Sequence, residues 1–307
     1  MRVTSLSLSH FRNYERALIE PDAGVTVFTG PNAQGKTNVL EALHLCCLGK
    51  SHRTSRDEEL IQWGRDSARV TVKTAQRDGT HEVAVVLSRT QRKKKTVRIG
   101  LRQAERIGEL LGHVCGVLFS PEDLRIVRDG PAARRRFVDM QLSQIRPGYV
   151  RALKTYLSVL ESRNALLRQD KLQGVSDFAN QLDAWDEQLA NAAVPIVRSR
   201  RWFLQELSEN SSREYAAISE NPDEPFSLFY VGPLAQSDAP YEQMLAGLRR
   251  NREEDRRRMY TTFGPHRDDV SLQLFGRDLR AMGSQGQLRT AVLSMKLGEI
   301  RLIEKEM

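Results

Sequence analysis

Cysteine is scarce in this 307-residue sequence: there are three, two of them adjacent at Cys46 and Cys47. That rules out a disulfide framework, and no metal-ligand spacing accompanies them. No apolar run reaches the roughly 18 residues of a membrane helix, and the N-terminus, one arginine followed by Ser-Leu alternation, lacks the apolar core of a secretory signal. There is no internal repeat, no low-complexity tract and no N-K-x-D element of the kind that reads guanine. These absences predict a soluble cytoplasmic protein with reduced thiols and no membrane partner. Acid is in deficit, 39 Asp and Glu against 47 Lys and Arg, for a formal charge of +8. The bias favours a polyanionic partner without naming one. The length accommodates a large α/β domain with an elaboration, or two domains.

What is present begins with GPNAQGKTN at residues 30–38. Val25, Thr26, Val27, Phe28 and Thr29 read as a buried strand ending at a Gly-Pro turn. Val39, Leu40, Ala42, Leu43, Cys46 and Cys47 recur at helical spacing until Gly49. A strand-loop-helix is the setting of a Walker A loop, G-x-x-x-x-G-K-[ST], here Gly30 to Thr37. Gly30 and Gly35 allow the backbone N–H groups to turn inward around an anion, and Pro31, Asn32, Ala33 and Gln34 complete the cradle. Lys36 reaches the β- and γ-phosphates of a nucleotide, Thr37 offers its hydroxyl to Mg²⁺, and Asn38 follows in the first turn. The positive end of the helix dipole adds to the site.

Around this loop the alternation of VTSLSL (3–8) predicts a half-buried strand. RVTVKT and HEVAVVLS, joined by Asp78-Gly79, predict a hairpin, and TVRIGL a further strand after the basic turn QRKKK. GVLFS at 116–120 also reads as a strand. Tyr149, Leu153, Tyr156, Leu157, Leu160, Leu166 and Leu167 step at three and four, as do Phe178, Leu182, Trp185 and Leu189 before Pro195, which is expected to kink or break the second helix. Each helix is predicted at roughly 20 residues, about 30 Å. SENPDEP at 219–225 reads as a loop.

A second glycine-containing loop, GSQGQLRT at 283–290, stands directly before another helical run. Ser284, Gln285, Gly286 and Gln287 read either as a Ser-Gly helix cap or as a second anion cradle. S-x-G-Q before a helix resembles the ABC signature motif. With Phe11-Arg12-Asn13-Tyr14, GKSHRT (49–54), SPEDL (120–124), GPAARRRFVD (130–139), ESRNALL (161–167) and GPHRDD (264–269), the sequence resembles, over nearly its whole length, the RecF family of bacterial recombination and replication-repair ATPases, relatives of the SMC proteins. The resemblance implies an α/β P-loop ABC-type ATPase head with an antiparallel β-subdomain and a helical second lobe. It places the N-terminal part of the head at 1–146, the lobe at 147–255 and the C-terminal part of the head at 256–307. It also implies ATP and Mg²⁺ as ligands, an ATP-dependent homodimer, binding to single-stranded or gapped DNA, RecR and RecO as partners, and roles in recombinase loading and the SOS response.

The sequence departs from the family pattern in one respect. An ABC-type head uses a Walker B strand, ending in acids that hold Mg²⁺ and polarise water, and none follows the signature helix. The expectation is a marginally stable chain that binds ATP weakly and shows no measurable DNA-stimulated hydrolysis. The nearest internal substitute is the run Val117 to Asp123, but Ser120 and Pro121 displace its acids from the strand end, and it reads better as the loop connecting the head to the helical lobe, touching metal or γ-phosphate through Glu122. Arg134, Arg135 and Arg136, with Lys93 and Lys94 in the QRKKK turn, are candidates for DNA phosphates, against the alternative of solvated charge and structural ion pairs. For the arginine-rich run at 249–258, pairing within the helix competes with DNA contact. His52 and Arg53 are read as facing DNA or a second subunit. His266 to Asp269 either order a site near the nucleotide or form a polar hairpin. Two other functions stand beside the family reading: an SMC-like structural DNA-binding head, and a P-loop metabolic kinase or GTPase.

Overall fold

The computed structural model describes residues 1–174, 176–219 and 225–306, and the chain divides into two compact units, 1–118 and 119–307. The loop expected over SENPDEP lies, at 220–224, outside the described residues.

In the first unit, strands β1 (Arg2–Phe11), β2 (Tyr14–Ile19), β3 (Ser67–Gln76), β4 (Gly79–Ser88), β5 (Lys95–Ile99) and β6 (Arg102–Gln103) form one antiparallel sheet in the order β2-β1-β3-β4-β5-β6. The period of two decides its faces. Leu6 and Leu8 stand opposite Val72 and Val70, which in turn stand opposite Val83 and Val85. All of these are buried in one cluster with Val39, Ala42, Leu45 and Cys46 of helix α1 (Lys36–Leu48). Cys46 and Cys47 are thus core residues. Gly49, at φ 68°, ends α1 by donating its N–H to the Leu45 carbonyl at 2.8 Å. Strand β2 was not anticipated: its pattern YERALI alternates weakly, and pairing with β1 supplies what periodicity does not.

Two strand expectations need correction. Residues 25–29 join no strand ladder among the described residues, and Val25 and Val27 are 86% and 74% exposed. Residues 116–120 are likewise outside any strand. β-Propensity reflects fit to a pleated surface with neighbours, and neither segment has a pairing neighbour among the described residues.

In the second unit a short helix α2 (Arg125–Arg128) leads to α3 (Pro131–Ile145), α4 (Pro147–Gln173) and α5 (Phe178–Ile218). Strand β7 (Phe226–Val231) and helices α6 (Pro240–Arg250) and α7 (Arg252–Arg258) follow, then β8 (Asp269–Leu274), β9 (Arg277–Asp278), α8 (Leu279–Met282) and α9 (Gln285–Glu306). The strands make a small antiparallel sheet, β7-β8-β9. The paired helices α4 and α5 have 27 and 41 residues, about 40 and 60 Å, so both exceed the expected length. Pro195 lies inside α5 and does not end it. A helical proline costs about 3 kcal/mol, but the flanking Leu189, Ala190, Ala193, Ile196 and Val197 are all completely buried, and each large apolar side chain contributes about 1.5–3 kcal/mol. Among the described residues no helix is long and apolar enough to cross a membrane.

Candidate functional site

The Walker A loop gets its shape from three left-handed positions, Gly30 (φ 140°), Ala33 (φ 65°) and Gly35 (φ 98°). At Gly35 glycine is required twice over, since a Cβ there would sit 2.6 Å from Asn13 Oδ1 and the left-handed backbone would be strained. Asn13 clamps the loop to the β1–β2 turn. Its Nδ2 donates to the Gln34 carbonyl at 3.1 Å, and its Oδ1 accepts from Asn38 Nδ2 at 2.8 Å. Lys36 Nζ donates across the loop to the Gly30 and Pro31 carbonyls at 2.6 and 2.7 Å. No side chain caps α1 at Gly35, and Thr37 is exposed on the first turn. The loop therefore presents an uncapped helix N-terminus and the Lys36 cation, the donor set an oligophosphate needs. Thr37 also fits one oxygen position of Mg²⁺, an ion that otherwise takes water and phosphate oxygens.

A buried carboxylate holds this apparatus to the sheet. Glu41, fully buried on α1, takes a two-pronged ion pair from Arg12, Nε to Oε2 at 2.9 Å and Nη2 to Oε1 at 2.8 Å. Ser51 donates a hydroxyl, and Arg53 approaches to 3.4 Å while also donating to Asn38 Oδ1 at 2.9 Å. Burial pushes the Glu41 carboxyl up. The hydrogen bonds from Arg12 and Ser51, with the charges of Arg12 and Arg53, outweigh that and hold it below the ordinary glutamate range. Arg53 of GKSHRT thus braces the P-loop helix, and His52 stacks edge-on against His44, ring centroids 5.2 Å apart.

Beside the loop lies a groove of ≈ 990 Å³ whose lining includes Arg12, Asn13, Asn38, Arg53, Arg89 and Trp63. Trp63 is 94% exposed. The sequence reading missed this groove because its residues come from four separate segments. The available signal was one tryptophan in a turn between strands.

In the second unit, Ser284 and Gln287 close a reciprocal cap at the start of α9. Ser284 Oγ accepts from the Gln287 N–H at 3.2 Å, and Gln287 Oε1 accepts from the Ser284 N–H at 2.9 Å. This is the S-x-x-Q capping box. Gln285 Oε1 accepts from Arg128 at 3.2 Å, and Gly286 is open, with no backbone or core atom pressing on it. Of the SPEDL acids, Glu122 is exposed, whereas Asp123 accepts from the Ser120 N–H at 2.7 Å and pairs with Lys296 at 3.3 Å.

The basic candidates separate by burial. Arg134 is buried and gives a two-pronged ion pair to Asp269 at 2.7 and 2.9 Å, and Arg135 donates to the Asp268 carbonyl at 2.6 Å. Arg136 is exposed. Lys93 is exposed, while Lys94 lies 3.6 Å from Glu58. The arginine-rich run is largely paired: Arg252 with Asp183 and Asp186, Arg256 with Asp170, Arg257 and Arg258 with Glu254.

GPHRDD is part of a buried polar framework. His266 Nε2 faces the Thr261 carbonyl at 3.0 Å, so it carries the proton, and Nδ1 accepts from the Tyr156 hydroxyl at 2.6 Å. Burial lowers the His266 pKa to about 4, consistent with that neutral ring. Burial also raises Asp268 to about 6, against the hydrogen bond from Tyr230.

A family model described as an AAA domain matches residues 5–221. The "DNA replication and repair protein RecF" of Alkaliphilus oremlandii is 38% identical over 311 residues, covering 100% of this chain and 83% of the relative. The protein of the same description from Staphylococcus aureus is 37% identical, covering 100% and 83%. A solved structure of the recombination mediator protein RecF with ATP, in the RecFOR pathway, superimposes with a TM-score of 0.91 at 30% identity, over 99% of this chain and 82% of that one. The SMC head domain from Pyrococcus furiosus, at 15% identity and a TM-score of 0.55, covers 98% and 79% and shares the fold. The architecture is thus a mixed α/β ATPase head of the RecF and SMC kind, with an antiparallel sheet and a helical lobe.

Proposed function

Because the chain belongs to the RecF family of DNA replication and repair proteins, we propose that it is an ATP-gated DNA-binding protein of recombinational repair. The observation that carries this reading is the uncapped N-terminus of α1 behind a loop that only glycine can make at residue 35. ATP is held with its β- and γ-phosphates on backbone N–H groups of residues 32–37 and on Lys36, which exchanges its two carbonyl partners for phosphate oxygens. Mg²⁺ accompanies the nucleotide through the Thr37 hydroxyl. The arginine-lined groove beside Asn38 accommodates the nucleoside, with Trp63 at its rim.

Two copies close on ATP, residues 284–287 of each approaching the γ-phosphate held by the other. The closed dimer grips single-stranded or gapped DNA and acts with RecO and RecR to assist recombinase loading. A GTPase reading lacks the N-K-x-D element that reads guanine. Sedimentation of the 307-residue chain on a gapped duplex separates the readings. At ATP concentrations raised until binding saturates, ATP with Mg²⁺ is expected to drive dimers and GTP is not; a chain that stays monomeric with saturating ATP and DNA, or responds equally to GTP, overturns the proposal.

A further inference from the structure

The six-stranded sheet has one face on the core and one open, and its register aligns the open-face residues in rows. One row runs Arg16, Ser9, Arg69, Val86, Thr96 from β2 to β5, and the next runs Leu18, Ser7, Thr71, Ala84, Arg98. A third begins Ser5, Lys73, Glu82. Across these rows four cations stand against one carboxylate, and Glu82 is occupied by Lys73 at 3.7 Å. Arg16, Arg69, Lys73 and Arg98 are all exposed, and among the described residues Arg16, Arg69 and Arg98 make no ion pair.

An antiparallel sheet ordinarily exposes one polar face, so exposure alone signals nothing. Two properties separate this face from a merely solvated one. Its unpaired charge is of one sign, since the one carboxylate, Glu82, is taken by Lys73, and the cations are interleaved with Ser7, Ser9, Thr71 and Thr96, with Val86 and Leu18 as the larger apolar positions. Adjacent strands lie about 4.8 Å apart, so Arg16 and Arg69, flanking β1, stand about 10 Å apart with only Ser9 between them. A backbone lying there meets Ser and Thr hydroxyl donors at the bottom and guanidinium groups at the sides, the mixture that contacts phosphates in nucleic-acid complexes.

We propose that this open face binds the phosphodiester backbone of DNA, with Arg69 and Arg98 as principal cations and Ser7 and Thr71 as hydroxyl donors. It rests on the reading that the chain binds DNA and adds where.

The test is the salt dependence of binding to a fluorescent gapped duplex by the full chain, since the slope of log K against log salt counts phosphate contacts. Arg69→Glu with Arg98→Glu is expected to shallow the slope by about two and weaken binding at least about tenfold at moderate salt, and Ser7→Lys to steepen it by about one. Both variants alter exposed side chains without ion pairs, and an unchanged melting temperature verifies their folding. If the unaltered chain binds DNA and neither variant changes slope or affinity, the face is overturned as a DNA surface, in favour of an acidic protein partner, while the DNA-binding reading stands. If the unaltered chain binds no DNA, both are overturned.

Discussion

Helices α1 and α9 each begin on a glycine-containing loop, and they solve the same problem in opposite ways. The first turn of any helix leaves backbone N–H groups without partners. At α9 the chain supplies its own, with Ser284 and Gln287 closing a capping box. At α1 no side chain caps Gly35, and the bracing comes from outside the helix, through Asn13 on the loop and Arg12 on Glu41. A self-capped terminus is stable without a ligand, whereas an uncapped one held from behind is pre-organised for an anion. Similar sequence, glycine before helix, thus carries two different physical states.

The external brace is the part whose loss is expected to cost most. Arg12→Ala leaves Glu41 buried and short of its main partner, and breaking such a pair costs about 3 kcal/mol, reduced to the extent that Arg53 moves in. The effect has a pH signature. Glu41 titrates below the unfolded value of about 4.3, so its stabilisation is complete above that unfolded value and disappears as pH falls through the lower folded one. Urea melts at pH 7 are expected to separate wild type from Arg12→Ala widely, and melts in acid to bring them together. A gap that persists in acid means the arginine contributes packing rather than charge.

Next in size is the ligand side of α1. Lys36→Ala removes a charge-assisted contact of about 1.5–3 kcal/mol, a loss of about 10- to 100-fold in ATP affinity. Among the described residues Lys36 bonds to the Gly30 and Pro31 carbonyls of its own loop, so the melting temperature is expected to stay within about a degree of wild type. A fluorescent-nucleotide titration with unchanged affinity assigns the phosphate contacts elsewhere.

The same contrast explains what was readable from the sequence. The loop 30–38 was legible because phosphate binding fixes residue types at fixed spacing, and the hairpin β3–β4 because Asp78-Gly79 sits between two alternating runs. The bracing of Glu41 was not, since a buried acid in a helix of apolar spacing looks like any solvent-facing residue until Arg12 arrives from 29 residues away. Arg134 misled in the reverse direction: within a run of three arginines nothing in the sequence distinguishes the one that turns inward to Asp269 from Arg136, which stays exposed. Residues 25–29 carry a sound strand pattern and still form no ladder with any described residue, because propensity is local and pairing is not.

The smallest expected effect is at the self-capped end. Ser284→Ala deletes the acceptor for the Gln287 N–H, a loss of about 1 kcal/mol, or about 2–4 °C in melting temperature for a chain of this class. ATP affinity of the monomer is expected to be unchanged, since the loop 30–38 does not use this residue. The trans reading makes a sharper demand of Ser284→Arg. That substitution also removes the cap oxygen, so its stability should match Ser284→Ala, but it puts a bulky cation where the second copy's nucleotide is proposed to lie. Sedimentation with ATP is therefore expected to show dimers for wild type, weakened dimers for Ser284→Ala and none for Ser284→Arg. If Ser284→Arg dimerises as wild type does while sharing the melting shift of Ser284→Ala, the box at α9 is a helix cap and nothing more, and the ligand-binding terminus is α1 alone.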